Sequence, residues 1–206
     1  MLPLSDWLFL LGACLGGAMT PGLSLIMVTR HTIAGGVRHG TTVAVTHALG
    51  IAVWASLSVS GLAFLFAHTP ELHQLISMAG AVVLLVLAWQ GWRNSQPFEE
   101  TAATLSSSAA TAALDGFAIA LVNPKVAVFF IALFSQFLGD APGMVIQIQM
   151  VLTASLVDGL WYALVAIMIG RSGLLAWLKQ QHHRIERSTA MLLALIAVGV
   201  IYDNAF

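Results

Sequence analysis

Lys125, Asp158 and His47 are ionisable residues that fall well inside long apolar stretches of this chain, and each could bind charge or carry a proton. At 1.5 Å per residue, Lys125 lies about 16 Å into the stretch that begins at Leu114, near the middle of a ~30 Å hydrocarbon core. A central lysine costs about 2.5–3.5 kcal/mol on insertion scales, so it needs a partner or a wet cavity. Two readings stand for it: an ion pair that locks two helices, or an anchor for a substrate carboxylate within a proton relay. Asp158, in Leu156-Val157-Asp158-Gly159-Leu160-Trp161-Tyr162, is its natural partner, because a buried carboxylate pairs or takes a proton. It is read either as the proton-coupling group or as a helix-packing polar contact. His47, in Val45-Thr46-His47-Ala48, can shuttle protons near neutral pH, or it simply satisfies an interhelical hydrogen bond.

Two interruptions place these groups. Thr20-Pro21-Gly22 breaks one apolar stretch (8–28) and Asn123-Pro124-Lys125 breaks another (114–138), and the two prolines stand 103 residues apart, half of the 206-residue chain. Proline removes a backbone donor and clashes with the carbonyl one turn earlier. In lipid the freed groups must find partners in protein or in a wet cavity. Paired breaks in corresponding halves point to the binding site of a small-molecule transporter, where half-helix ends hold the charges of a zwitterion. Thr20, Pro21, Gly22, Asn123, Pro124 and Lys125 are therefore the expected substrate site, with Asp158 and His47 expected to couple protons.

The elements that must carry these residues are spans of about 20 apolar residues. Six are expected, at roughly 7–29, 41–66, 73–92, 114–138, 145–169 and 188–203. The fold class expected is an all-α membrane protein of six helices in a 3+3 inverted repeat, with the first and fourth broken by proline. Residues 1–93 form the first repeat, 94–113 a polar linker (Asn94-Ser95-Gln96-Pro97 to Ser106-Ser107-Ser108) and 114–206 the second. Three helices per half reverse one half against the other. The connections at 30–40, 93–113 and 170–187 hold Arg30, His31, Arg38, His39, Arg93, Glu99, Glu100, Arg171, Lys179, Arg184 and Arg187. The other side has Asp6, Glu71, Asp140 and Asp203. An excess of Lys and Arg marks the cytoplasmic side, which puts both termini in the periplasm of a bacterial inner membrane.

Composition agrees: 59% of residues are hydrophobic, 8% are charged and the net charge is −1. A soluble domain carries about 25% charged residues. No basic surface for nucleic acid exists. The single cysteine, Cys14, excludes an intrachain disulfide and a thiol-based metal site. Leu11-Gly12-Ala13-Cys14 loosely resembles a lipoprotein cleavage site. The absence of Lys or Arg before it, and the apolar run continuing to Val28, favour a first spanning helix. There is no H-E-x-x-H and no P-loop, so no enzyme, cofactor or resident metal is expected. His182-His183 reads as solvated surface, Trp89 and Trp92 as interfacial belt residues. Trp54 with Ser56, Ser58, Ser60 and Gly61, and the Gly12/Gly16 pair, read as helix-packing surfaces, the latter allowing a homodimer.

Over nearly its whole length the chain resembles the lysine-exporter and homoserine/threonine-exporter superfamily of bacterial amino acid effluxers. The resemblance lies in Met19-Thr20-Pro21-Gly22, in Gly116-Phe117 through Val122-Asn123-Pro124-Lys125 to Phe129-Phe130 and Phe134, in Gly50 to Trp54 with Gly61-Leu62, and in Asp158 with Trp161. It implies efflux of an amino acid coupled to proton entry, with the wording leaning toward threonine or homoserine. The chain departs from the family pattern at Leu23, where a second proline is frequent, at Ser24, where an acid is frequent, and at His47, where a small residue is common. The alternatives are a passive small-solute channel and a cation effluxer of a related family.

Overall fold

The computed structural model describes residues 1–69, 72–93, 108–138, 143–171 and 174–205. Glu71, Asn94 to Ser107 (Glu99 and Glu100 among them), Asp140 and Phe206 lie outside them, as do the side chains of Arg171, Lys179, His182 and Asp203. The described residues form seven helices: α1 (Leu4–Met19), α2 (Leu23–His68), α3 (Leu72–Arg93), α4 (Ala109–Val122), α5 (Pro124–Phe134), α6 (Met144–Arg171) and α7 (Leu174–Ala205). The chain is an all-α membrane protein. Leu23–His68, Leu72–Arg93, Met144–Gly170 and His183–Tyr202 are long and apolar enough to cross a bilayer, and α4 with α5 passes as one span bent by 55°. Leu4–Met19 is a shorter apolar helix. Many large apolar side chains face outward along the helices, among them Leu49, Leu57, Phe64, Val82, Leu156, Leu160 and Leu195. Such a belt suits lipid tails rather than water.

At 46 residues, α2 would measure about 69 Å if straight, twice a hydrocarbon core. It is not straight. Gly36 has φ 75° and ψ −176°, a conformation that only glycine adopts without a large penalty, and there the chain turns back. Contacts across the turn give its register. The Ser24 hydroxyl reaches His47 at 2.8 Å, and a Cβ on Gly40 would run into the Thr32 hydroxyl. Both pairs centre on residue 36. Residues 23–35 and 37–68 are therefore two antiparallel limbs, and the 30–40 segment expected as a loop is helical on both sides of one glycine. The fourth stretch likewise differs from expectation: α4 starts at Ala109, capped by the Ser108 hydroxyl, which accepts from Thr111 N–H at 3.0 Å. That is inside the segment assigned to the linker.

The two proline breaks follow from local chemistry. Residues before proline are pushed out of the helical region. Thr20 has ψ 117° and Asn123 has ψ 106°. Thr20 closes α1 by donating its N–H and its hydroxyl to Gly16 O, at 3.1 and 2.7 Å. Asn123 ends α4 and starts α5: its Oδ1 accepts from Lys125 N–H at 3.1 Å, and Pro124 takes the first helical position, where no donor is needed. Diverting the Lys125 N–H leaves the Leu121 carbonyl without its helical donor. The Trp54 indole N–H supplies one at 3.1 Å. Trp54 thus does more than pack.

In space α2 packs on α4 and α6, α3 on α7, and α1 on α6 and α7, while α5 lies among α2, α3 and α4. Arg187 stacks over Trp92 at 5.4 Å, which brings the end of α3 and the early part of α7 to one end of the bundle. Gly16 is packed inside the chain against Leu192, whereas a Cβ on Gly12 would meet nothing within 4 Å, so the two glycines do not share one outer face.

Candidate functional site

Both breaks open onto the same cavity of about 260 Å³. Thr20, Pro21, Gly22, Asn123, Lys125, Asp158 and His47 all line it. Pro124 does not; it is exposed, and its part is to break the helix. The volume is just below the ~300–1,000 Å³ typical of drug-sized ligands, a scale that suits a smaller solute.

The chemistry centres on a buried chain of hydrogen bonds. His47 Nδ1 lies 2.7 Å from Asp158 Oδ2, and His47 Nε2 lies 2.8 Å from Ser24 Oγ. His47 is 1% exposed and Asp158 7%, so water does not screen this contact. An ionised carboxylate only accepts, which places a hydrogen on Nδ1. With the ring neutral, Nε2 accepts from the Ser24 hydroxyl. With the ring protonated, Nε2 donates and the hydroxyl must turn to another acceptor. One proton therefore changes the site from a single negative charge to a net-neutral ion pair and reorients Ser24. Tyr162, one helical turn beyond Asp158 on α6, packs its ring edge-on against His47 with centroids 5.2 Å apart and holds the imidazole in place.

Lys125 stands in the first turn of α5, half-buried, with its side chain on the cavity. The expected pairing of Lys125 with Asp158 does not form. Asp158 pairs with His47 instead, and His31 pairs with Asp115 at 2.9 Å. The reason is geometric: the turn at Gly36 brings the second limb of α2 against α6, so that His47 takes the carboxylate first. Glu186 is a further acid buried in the bundle, in α7.

Several of these partners escaped sequence reasoning. Glu186 looked like part of a basic loop, yet it is in helical phase with buried Ala190, Leu193 and Ala197, a periodicity that could have flagged it. Tyr162 follows Asp158 by four residues, a spacing that shares a helix face. In the sequence Ser24 stands out only as a departure from a family pattern, His31 falls in a segment read as a loop, and Asp115 falls at the edge of a span. His183 is exposed. Among the described residues no group of three or more His, Cys, Asp or Glu could hold a metal ion.

Comparison with known proteins agrees with this architecture. The model of the family described as LysE type translocator matches residues 15–204. An uncharacterized membrane protein of Haemophilus influenzae is 28% identical over 194 residues, 91% of this chain and 92% of its own length. A threonine efflux protein of Salmonella typhi is 24% identical over 152 residues, 72% of this chain and 74% of its own. A leucine efflux protein of Klebsiella pneumoniae is 30% identical over 121 residues, 58% of this chain and 57% of its own. No solved structure matches. A match over nine-tenths of the chain, covering both helix breaks, places the chain in the LysE type translocator family, whose members are transporters and not enzymes.

Proposed function

We propose that this chain exports a neutral amino acid, of the size of threonine or homoserine, in exchange for protons. One observation carries the reading: a single cavity between two proline-broken helices presents a buried proton-accepting pair and a cation to the same small solute. The relatives named as threonine and leucine efflux proteins support the amino acid class. The substrate carboxylate would take Lys125 and the Asn123 amide. Asn123 spends its oxygen on the α5 cap, so its Nδ2 remains for a ligand. The substrate ammonium would take Asp158. A proton on His47 neutralises that carboxylate, so ammonium and proton compete for one charge, and this competition couples the two flows in opposite directions.

The same reading completes the topology. α1 with residues 23–35 makes the first span, 37–68 the second and α3 the third; α4 with α5, α6 and α7 make the other three. The packing of α1 on α6 matches that of α4 on α2, and α2 with α6 and α3 with α7 pair across the middle, as a 3+3 inverted repeat would have it. Arg30, Arg38, Arg93, Arg184 and Arg187 at one end favour an inner-membrane orientation with both termini periplasmic.

The test is efflux from cells preloaded with labelled neutral amino acids, with and without a protonophore. Saturable efflux that the protonophore stops is the expected result. Efflux that neither saturates nor responds to the protonophore means a passive pore.

A further inference from the structure

The cavity lining is of two unlike kinds. Much of its polar part is tied up within the protein: the Thr20 hydroxyl donates to Gly16 O, Asn123 Oδ1 caps α5, and Ser24, His47 and Asp158 bond one another, while Lys125 and the Asn123 amide nitrogen are the groups assigned above to the substrate carboxylate. The lining also holds Cys14, Ile51, Leu87, Phe129, Phe130 and Leu193, with no hydroxyl, amide or charge among them. Cys14, Ile51, Phe129, Phe130 and Leu193 belong to one continuous apolar cluster, and Leu87 packs against it. Tyr162, on the polar side, belongs to the other cluster. A zwitterion seated on the charged groups would point its side chain at a dry surface.

One contact sets the depth of that surface. Gly17, in the last turn of α1, lies directly under the Phe129 ring of α5. A Cβ added there would sit 2.7 Å from Phe129 Cζ and 3.0 and 3.2 Å from the two ring atoms beside it. Both residues line the cavity, and Phe130 braces the ring edge-on at 5.3 Å. The ring rests on bare backbone, and any group added beneath it must displace it.

We propose that this apolar wall, with its depth set by Phe129 lying on Gly17, selects an amino acid with an aliphatic side chain over a hydroxylated one of the same shape, an inference that rests on the amino acid efflux reading above. Valine and threonine are nearly isosteric and differ in one hydroxyl. An apolar pocket that cannot satisfy a hydroxyl disfavours it by up to about a hundredfold, while a site built to bond it would reject the analogue lacking it by far more.

Purified protein in liposomes, loaded with labelled alanine, threonine, valine and leucine under an imposed pH gradient, tests this directly. Valine should leave about ten to a hundred times faster than threonine. Gly17→Ala should cut leucine efflux on the order of tenfold relative to alanine, and Phe129→Leu in the same chain should restore it. Should Gly17→Ala not fold, Phe129→Leu alone must shift the preference toward larger side chains. Faster efflux of threonine than valine would overturn the aliphatic assignment. An equal loss for all four amino acids in Gly17→Ala and no shift in Phe129→Leu would overturn the role of this contact. Efflux of none of them by the unaltered protein would instead remove the amino acid reading itself, and this inference with it.

Discussion

Replacing Asp158 with asparagine removes one charge and almost no volume. The amide oxygen can still accept from His47 Nδ1 at the 2.7 Å seen for the carboxylate. A hydrogen bond to a charged group is worth about 1.5–3 kcal/mol and a neutral one about 0.5–1.5 kcal/mol, so the fold should lose about 1 kcal/mol. That is a shift of a few degrees in thermal unfolding, not a collapse. Transport should suffer far more. A substrate ammonium about 4 Å from the carboxylate gains up to about 4 kcal/mol at an effective dielectric of 20. Losing it corresponds to about a thousandfold in apparent affinity. The negative charge that holds a proton on His47 disappears in the same step, so whatever transport remains should no longer respond to a pH gradient. The assay is uptake or efflux in liposomes with and without that gradient, beside thermal unfolding in detergent. A well-folded Asp158→Asn protein that keeps gradient-driven transport within a few-fold of the unaltered protein would refute the coupling mechanism.

Gly36→Ala should lower thermal stability by about 1–3 kcal/mol, because a Cβ is placed at φ 75°, and an unchanged unfolding midpoint would mean the turn is built differently. Asn123→Ala should cost about 0.5–2 kcal/mol through the lost cap on α5. Asn123→Ser should recover that stability, since serine also caps, but not full transport, and equal transport by the two variants would remove Asn123 from the substrate site. Trp54→Phe keeps the ring but orphans the Leu121 carbonyl, so detergent unfolding should show a loss of about 1–3 kcal/mol with little change in substrate preference.

Much of this protein is legible in one dimension because the bilayer enforces it. Apolar runs of about 20 residues must become helices, since no other open structure satisfies every backbone group in lipid. The breaks at Thr20-Pro21 and Asn123-Pro124 are equally local: proline displaces the residue before it, and the consequence is the extended backbone at Thr20 and Asn123. A lysine, an aspartate and a histidine set among aliphatic residues mark candidate positions wherever they end up, because their burial is costly.

Which of them meet is not local information. Asp158 bonds His47, 111 residues away, and not Lys125, because the turn at Gly36 sets the register of two limbs that α6 then packs against. That the chain reverses within 30–40 follows from the two apolar spans flanking it, but that the reversal is made at Gly36, with helix on both sides, is not local information, as a glycine in a helix is equally compatible with a straight run. Glu186 and Asp115 lie near the ends of the apolar stretches, where sequence reads solvation; only packing buries Glu186 and sets Asp115 against the buried His31. The division has one physical cause. Helix formation and helix breaking depend on neighbours along the chain, whereas the pairing of buried charges depends on distances that exist only once the helices are side by side.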